Sequence, residues 1–397
     1  MHNLRGSVKN YVWGTTDRIP ALLGQRPTGE PYAEYWLGAH PAGPATVDGV
    51  GLDATIAADP AVLGGRSRQV FGDRLPFLMK LLSAARALSL QVHPTAAQAR
   101  EGFVRENGAG VALGDPARTY RDDWPKPEIM VALEPFEALY GFRDPRRSAA
   151  ILRALGGEAA DGLAGRLEAE DVDLVAIVRD LLTDGDPVLV AALTADADRA
   201  ADRTRLGDER LGDEREVADA RDTVARLGRE YPGDPGIVVA LLMNRLRLEP
   251  LQALYVPAGV MHAYLSGTGV EVMASSDNVV RGGLTPKHID LQGLTEVVDP
   301  RPSVPTLVPV EPAGDGVSRY LTPAPHFALW RVDPSAAARA LPATDSPRIF
   351  LTVRGACRLT RDGEEHRLRS GEAVFLAAGE AVQVTGEGLG FLTSIGG

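Results

Sequence analysis

Leu88-Ser89-Leu90-Gln91-Val92-His93-Pro94 places two metal-capable side chains two residues apart at the end of an apolar run. A β-strand points residues i and i+2 to the same face, so on a strand Gln91 and His93 converge on one point. They form a ligand pair that needs partners from elsewhere in the chain. Taken alone the pair also suits a hydrogen-bonded core histidine, so the rest of the sequence has to decide.

Working outward, the span from Tyr11 to about Phe142 alternates Gly/Pro turns with short apolar stretches such as Phe77-Leu78-Met79, a β signature. From Asp144 to about Leu248 the period changes. Ile151, Leu152 and Leu155, then Leu174, Ile177, Val178 and Leu181, then Ile237, Val238, Leu241 and Leu242 recur at helical spacing. Within this block residues 196–230 are dense in charge and carry the tandem Leu206-Gly-Asp-Glu-Arg and Leu211-Gly-Asp-Glu-Arg, which reads as a solvated helix face. After Pro250 the β signature returns and persists. Helices placed between β segments are most economically one barrel interrupted by an insertion. Two later stretches also match each other, Leu254 to Tyr264 and Val374 to Val384, each a strand, a glycine turn and a strand. His262 falls opposite Val382, so a second barrel with an apolar residue in place of a ligand is expected.

Composition narrows the function classes. A chain of 397 residues with 44% apolar content can build two or three packed domains. It has neither an 18-residue apolar run nor a signal-peptide core, which predicts a cytoplasmic protein without a membrane partner. The single cysteine, Cys357, excludes an internal disulfide and every cysteine-based zinc site, so a metal must take nitrogen and oxygen ligands. A net charge of −11 argues against nucleic acid as a partner. Only four of the 42 basic residues are lysines (Lys9, Lys80, Lys126 and Lys287), and three of these fall in the motifs below. No apolar helical seam is present, which favours a monomer.

Four stretches carry residue types suited to a metal site with an anionic substrate. Gln91 and His93 are the first. Lys126-Pro127-Glu128, its backbone fixed by Pro125 and Pro127, supplies a lysine and a carboxylate; His262 follows the Pro257-Ala258-Gly259 turn. Two imidazoles, a carboxylate and an amide oxygen suit Zn²⁺, with Fe²⁺, Mn²⁺ or Co²⁺ as substitutes. The fourth stretch, Ser276-Asp277-Asn278 through Arg281-Gly282-Gly283 to Lys287, offers an acid, an amide and two cations, a cradle for a sugar phosphate.

These stretches, together with Asn10-Tyr11-Val12-Trp13-Gly14, Ala33-Glu34-Tyr35-Trp36-Leu37-Gly38-Ala39-His40-Pro41 and Leu75-Pro76-Phe77-Leu78-Met79-Lys80, resemble the type I mannose-6-phosphate isomerases from about residue 6 to 300. The resemblance implies a mainly β protein of the cupin superfamily with a helical insertion. It implies a metal-bearing jelly-roll barrel from 1–143 and 249–300, an α-helical insertion at 144–248, and a metal-free barrel at 301–397. It further implies one Zn²⁺ per chain held by Gln91, His93, Glu128 and His262, and an active-site arginine at Arg281. The reaction implied is aldose–ketose isomerisation of mannose 6-phosphate and fructose 6-phosphate through a cis-enediol. One position departs from the family pattern His-Lys-Pro-Glu: Pro125 stands where the histidine is expected.

Within that reading Lys126 is the acid/base candidate, and Lys80, Asp277 and Lys287 are expected to bind substrate. Trp13 and Trp36 are candidates for its walls. Two alternatives compete: a cupin oxygenase, which would leave Gln91 and Arg281 without a role, and a non-catalytic sugar-phosphate binder, which the loss of the family histidine keeps open.

Overall fold

The computed structural model describes residues 1–201 and 213–397, and the fold has two antiparallel sheets with a helical block packed against the first. The first half of the charged tandem and the start of its second copy, residues 206–212, lie outside the described residues.

The first sheet is organised by the long strand His262–Ala274, which pairs with different partners along its length. Its far half pairs with Phe77–Ala84 and Glu128–Ala132, while its first residues pair with Phe136–Phe142 and, at His262, with Gln91. The strand changes partners at a register break between Tyr264 and Ser266, beside Gly267 at φ +118°. A Cβ on Gly267 would lie 2.7 Å from the Phe136 ring, so both the conformation and the close approach require glycine.

Every residue of Phe77–Ala84 is buried, as for a strand covered on both faces. Phe77, Met79 and Leu81 enter a core shared with Ile349, Phe375 and Phe391 of the second sheet, and this core joins the two sheets. Burial of each such side chain contributes about 1.5–3 kcal/mol. The alternate residues Leu78, Lys80, Leu82 and Ala84 turn the other way, toward the interior of the first barrel. Glu128 and Met130 share that interior, whereas Ile129 and Val131 face the intersheet core.

The second sheet is built from residues 310–394 and gains three strands from the N-terminal region. His2–Arg5 pairs with Ala373–Leu376, and Thr46–Val47 and Val50–Gly51 follow it. The expected first-barrel span of 1–143 therefore divides, because these strands complete hydrogen bonds along the Ala373–Leu376 edge. The helical block runs from Pro145–Gly156, capped by Asp144, to Gly236–Leu241. It ends before the expected residue 248, because Met243–Leu248 pairs with Phe136–Phe142 as a strand. Helical spacing in Leu241 and Leu242 gave no warning of that switch.

The internal repeat is present. Ala253–Val256 turns at Gly259 (φ +83°) into His262–Ala274, and Ala373–Leu376 turns at Gly379 (φ +88°) into Gln383–Ser394. Val382, opposite His262, is 2% exposed inside the apolar core of the second barrel. Among the described residues no helix is long and apolar enough to cross a membrane.

Candidate metal centre and adjoining cleft

His93, Glu128 and His262 come together in the interior of the first barrel, with ligand atoms all within 4.8 Å of one another. None is more than 1% exposed. His262 Nε2 lies 3.0 Å from Glu128 Oε1, and His93 Nε2 lies 3.4 Å from Glu128 Oε2. Tetrahedral ligands on a zinc ion at 2.0–2.1 Å sit about 3.4 Å apart, so this spacing fits one ion.

The tautomers fit as well. His93 Nδ1 lies 2.9 Å from the Asn278 carbonyl, and His262 Nδ1 lies 3.1 Å from the Val260 carbonyl. A carbonyl can only accept, so both rings carry their proton on Nδ1 and, when neutral, present Nε2 as a lone pair. Burial, with Lys126 beside it, pushes the His93 imidazolium down to about 3, so His93 is neutral at pH 7. His262 Nε2 is buried without a hydrogen-bond partner and lies beside the Glu128 carboxylate. With Nε2 unprotonated the two would be acceptors 3.0 Å apart, an arrangement that calls for a cation between or beside them.

Part of that cationic charge comes from Lys126, whose Nζ lies 2.9 Å from Glu128 Oε2 and 3.3 Å from His93 Nε2. Although burial works against it, the Glu128 carboxyl is held well below its usual range by Lys126 and then His93. The Tyr264 hydroxyl donates to Glu128 Oε1 at 3.1 Å, and burial followed by the charges of Glu128 and Glu271 pushes its ionisation far up.

Lys80 lies deeper in the same interior, with Nζ 2.9 Å from Glu271 and 3.2 Å from Glu34. Burial opposes its charge, but the two carboxylates more than compensate and push its pKa up. Lys80, expected to bind substrate or stabilise the pocket, has its ammonium held by both carboxylates. Glu271 is pushed up, first by burial and also by repulsion from Glu128 and Glu34, against the pull of Lys80. Three buried carboxylates (Glu34, Glu128 and Glu271) thus face two buried ammonium groups (Lys80 and Lys126).

Gln91 is placed by its neighbours: it sits opposite His262 on one side and Arg281 on the other. It also lines a cleft of about 980 Å³ with Tyr11, Trp13, Asp234, Arg281 and Lys287. Gln91 therefore marks where the cleft meets the metal centre. The Arg281 guanidinium is pushed down by burial and by Arg121, and the Lys287 ammonium by burial, Arg281 and Arg121. No ion pair holds Arg281, Lys287 or Arg121 among the described residues, although Glu230 and Asp234 also line the cleft.

Two expected wall residues part company. Trp13 lines the cleft and stacks on Tyr11 at 5.7 Å, whereas Trp36 is 5% exposed and donates its indole N–H to Glu34. Asp277 is at the barrel mouth, its side chain 37% exposed and 3.4 Å from His40 Nε2. Sequence reasoning passed over Glu34, Glu271, Tyr264, Arg121 and the clamp made by Asn278. Glu271 could have been flagged as a lone acid in the apolar alternation of Val270 and Val272, and Tyr264 as the i+2 neighbour of His262.

Residues 1–145 match the family model of the phosphomannose isomerase type I catalytic domain. The chain is 34% identical to mannose-6-phosphate isomerase 2 of Arabidopsis thaliana, covering 98% of this chain and 91% of that one. The chain belongs to the type I phosphomannose isomerase family. Its fold superposes on the apo form of the Salmonella typhimurium mannose 6-phosphate isomerase with a TM-score of 0.87 at 31% identity, covering 100% of this chain and 99% of that one. A mannose 6-phosphate isomerase bound with zinc and yttrium matches over the same shares at a TM-score of 0.85 and 31% identity. The likeness covers both sheets, of cupin type, and the helical block.

Proposed function

We propose that this protein interconverts mannose 6-phosphate and fructose 6-phosphate, with one Zn²⁺ per chain held by His93, Glu128, His262 and Gln91. The observation that carries the reading is the convergence of the buried His93 and His262 Nε2 atoms on the Glu128 carboxylate, beside a cleft that holds Arg281 and Lys287. The full-length relatives named as mannose-6-phosphate isomerases support it. In domain terms, 1–143 with 249–300 would form the catalytic unit, 144–248 the helical insertion apart from the strand Met243–Leu248, and 301–397 the metal-free barrel, with the N-terminal strands shared as described above.

A bound zinc ion would supply Lewis-acid charge next to the substrate's carbonyl and hydroxyl oxygens. Arg281 would stabilise the negative charge that develops on those oxygens as a proton leaves the carbon alpha to the carbonyl. Lys287, with Arg121, would hold the phosphate, because both lie near Arg281 and lack an anionic partner. Lys126 remains the candidate to shuttle the proton between the two carbons of a cis-enediol. Its ammonium now rests on Glu128 and His93, so metal binding would require it to give up those lone pairs, which would leave it free at the edge of the centre. Tyr264 would orient Glu128 by donating to its Oε1. The same reading has the protein acting as a cytoplasmic monomer on a small sugar phosphate.

A coupled assay for fructose 6-phosphate formation tests the proposal. Turnover should depend on mannose 6-phosphate, disappear with EDTA, return with Zn²⁺ and fall in Gln91→Ala. Stoichiometric iron with oxygen consumption, and no sugar-phosphate turnover, would instead identify an oxygenase. Solvent deuterium in the product would support the enediol route, and its complete absence would favour a hydride shift.

A further inference from the structure

His40 is almost fully buried, at 3% exposure, yet it is neither a ligand of the metal centre nor part of an apolar cluster. Both its ring nitrogens face polar neighbours. Nδ1 accepts the Ala42 backbone N–H at 3.2 Å, so it carries a lone pair, and the proton of the neutral ring sits on Nε2. Nε2 points to Asp277 Oδ1 at 3.4 Å. The ring is fixed edge-on against Trp36, with centroids 5.0 Å apart and planes at 80°. Trp36 is itself held by its bond to Glu34 and by the Lys9 ammonium 4.4 Å above its ring.

Asp277 donates its backbone N–H to Asp122 Oδ2 at 2.8 Å, while its side chain, 37% exposed, has His40 as the one partner seen among the described residues. The carboxylate lies near enough to Tyr11, a cleft-lining residue, to push the Tyr11 phenol up together with burial and Glu34. Asp277 also precedes Arg281 by one short turn of chain. Asp277 Oδ1 therefore lies within ion-pair range of a buried ring nitrogen, while the Asp277 side chain stays 37% exposed.

We propose that His40 is a positioning residue: it fixes the Asp277 carboxylate so that its second oxygen accepts a hydroxyl of the bound sugar. This deepens the proposed function and rests on the cleft being a sugar-phosphate site. A half-exposed aspartate without such a donor samples several rotamers, and binding has to freeze them; His40 removes that cost before the sugar arrives. The contact is made in ground and transition states alike, so its loss raises KM and leaves kcat nearly unchanged. A purely structural role would behave oppositely, lowering the active fraction, and hence apparent kcat, at constant KM.

The test is a cycle of His40→Leu, His40→Gln, Asp277→Asn and the double variant His40→Leu/Asp277→Asn in the zinc-loaded full chain. Each is measured by kinetics and by calorimetric titration with mannose 6-phosphate. His40→Leu should raise KM roughly 10- to 100-fold, the range for one hydrogen bond to a charged group. His40→Gln, whose amide can still donate, should recover most of the loss. In the Asp277→Asn background His40→Leu should add little, because the two act through one contact. An equal effect of His40→Leu in both backgrounds, or an unchanged KM with reduced kcat, would overturn the proposal. Failure of the unsubstituted protein to bind or turn over mannose 6-phosphate would instead sink the proposed function, so the two failures are distinct.

Discussion

Replacing Asn278 by aspartate changes one atom pair in a fully buried side chain, and the consequence should appear at His93. The Asn278 amide clamps two loops together. Its Nδ2 donates to the carbonyls of Asp122 and Trp124, each at 2.8 Å, and its Oδ1 accepts from the backbone N–H groups of Arg121 and Asp122 at 2.7 and 3.2 Å. Its own carbonyl receives His93 Nδ1–H. Asn278→Asp keeps shape and the Oδ1 contacts but turns Nδ2 into an acceptor facing two carbonyls. Leaving two buried carbonyls without donors costs about 2–6 kcal/mol in total. Part of that will be relieved by the loops moving apart, which displaces the carbonyl that sets the His93 tautomer. Groups that orient a ligating histidine are worth roughly 10- to 100-fold in metal affinity. Zinc affinity by competition with a chromophoric chelator should therefore fall by that factor, alongside a lower unfolding midpoint. If the midpoint drops while zinc is held as tightly as before, the clamp serves the loops alone and the argument linking it to His93 fails.

Arg281→Ala should cost about 3 kcal/mol of transition-state stabilisation, a hundredfold or more in kcat, and an unchanged kcat would remove it from the chemistry. Tyr264→Phe deletes one donor to Glu128 in the dry interior and should weaken zinc binding at least several-fold with the fold intact; chelator competition beside thermal unfolding checks both halves. The third test concerns acid stability. His326, packed on Phe71 and Trp124, is pushed down by burial to about 4. Its folded value lies below its unfolded one, so its contribution is complete above pH 6.5 and lost as the pH falls toward 4. That amounts to about 3 kcal/mol. His326→Phe should keep the packing and lose that much less stability than the unsubstituted protein between pH 7 and 4 in denaturant titrations. Parallel losses would show that His326 does not titrate with folding.

His93, Glu128 and His262, the candidate metal ligands that the fold brings together, were already legible in the sequence because strand geometry makes local spacing meaningful. Gln91 and His93 at i, i+2, a carboxylate between prolines and a histidine after a glycine turn are each local patterns whose chemistry survives without coordinates. The β–α–β order was equally plain, since a change of hydrophobic period marks a change of element. The internal repeat was readable too, because a strand, a glycine at positive φ and a strand leave a compact signature.

What escaped the sequence depends on pairing between distant segments. Nothing local shows that His2–Arg5 completes the far sheet through Ala373–Leu376, or that Met243–Leu248 leaves the helical block to join Phe136–Phe142. Lys80 illustrates the same limit for charge. By sequence it is a cation in a motif that suits a phosphate; in the fold it faces Glu271 directly across the sheet and is neutralised there. The sequence by itself determined which side chains could bind metal and phosphate. Only the tertiary structure decided which charges are spent on one another and which stay free, because that depends on the few ångströms separating groups hundreds of residues apart.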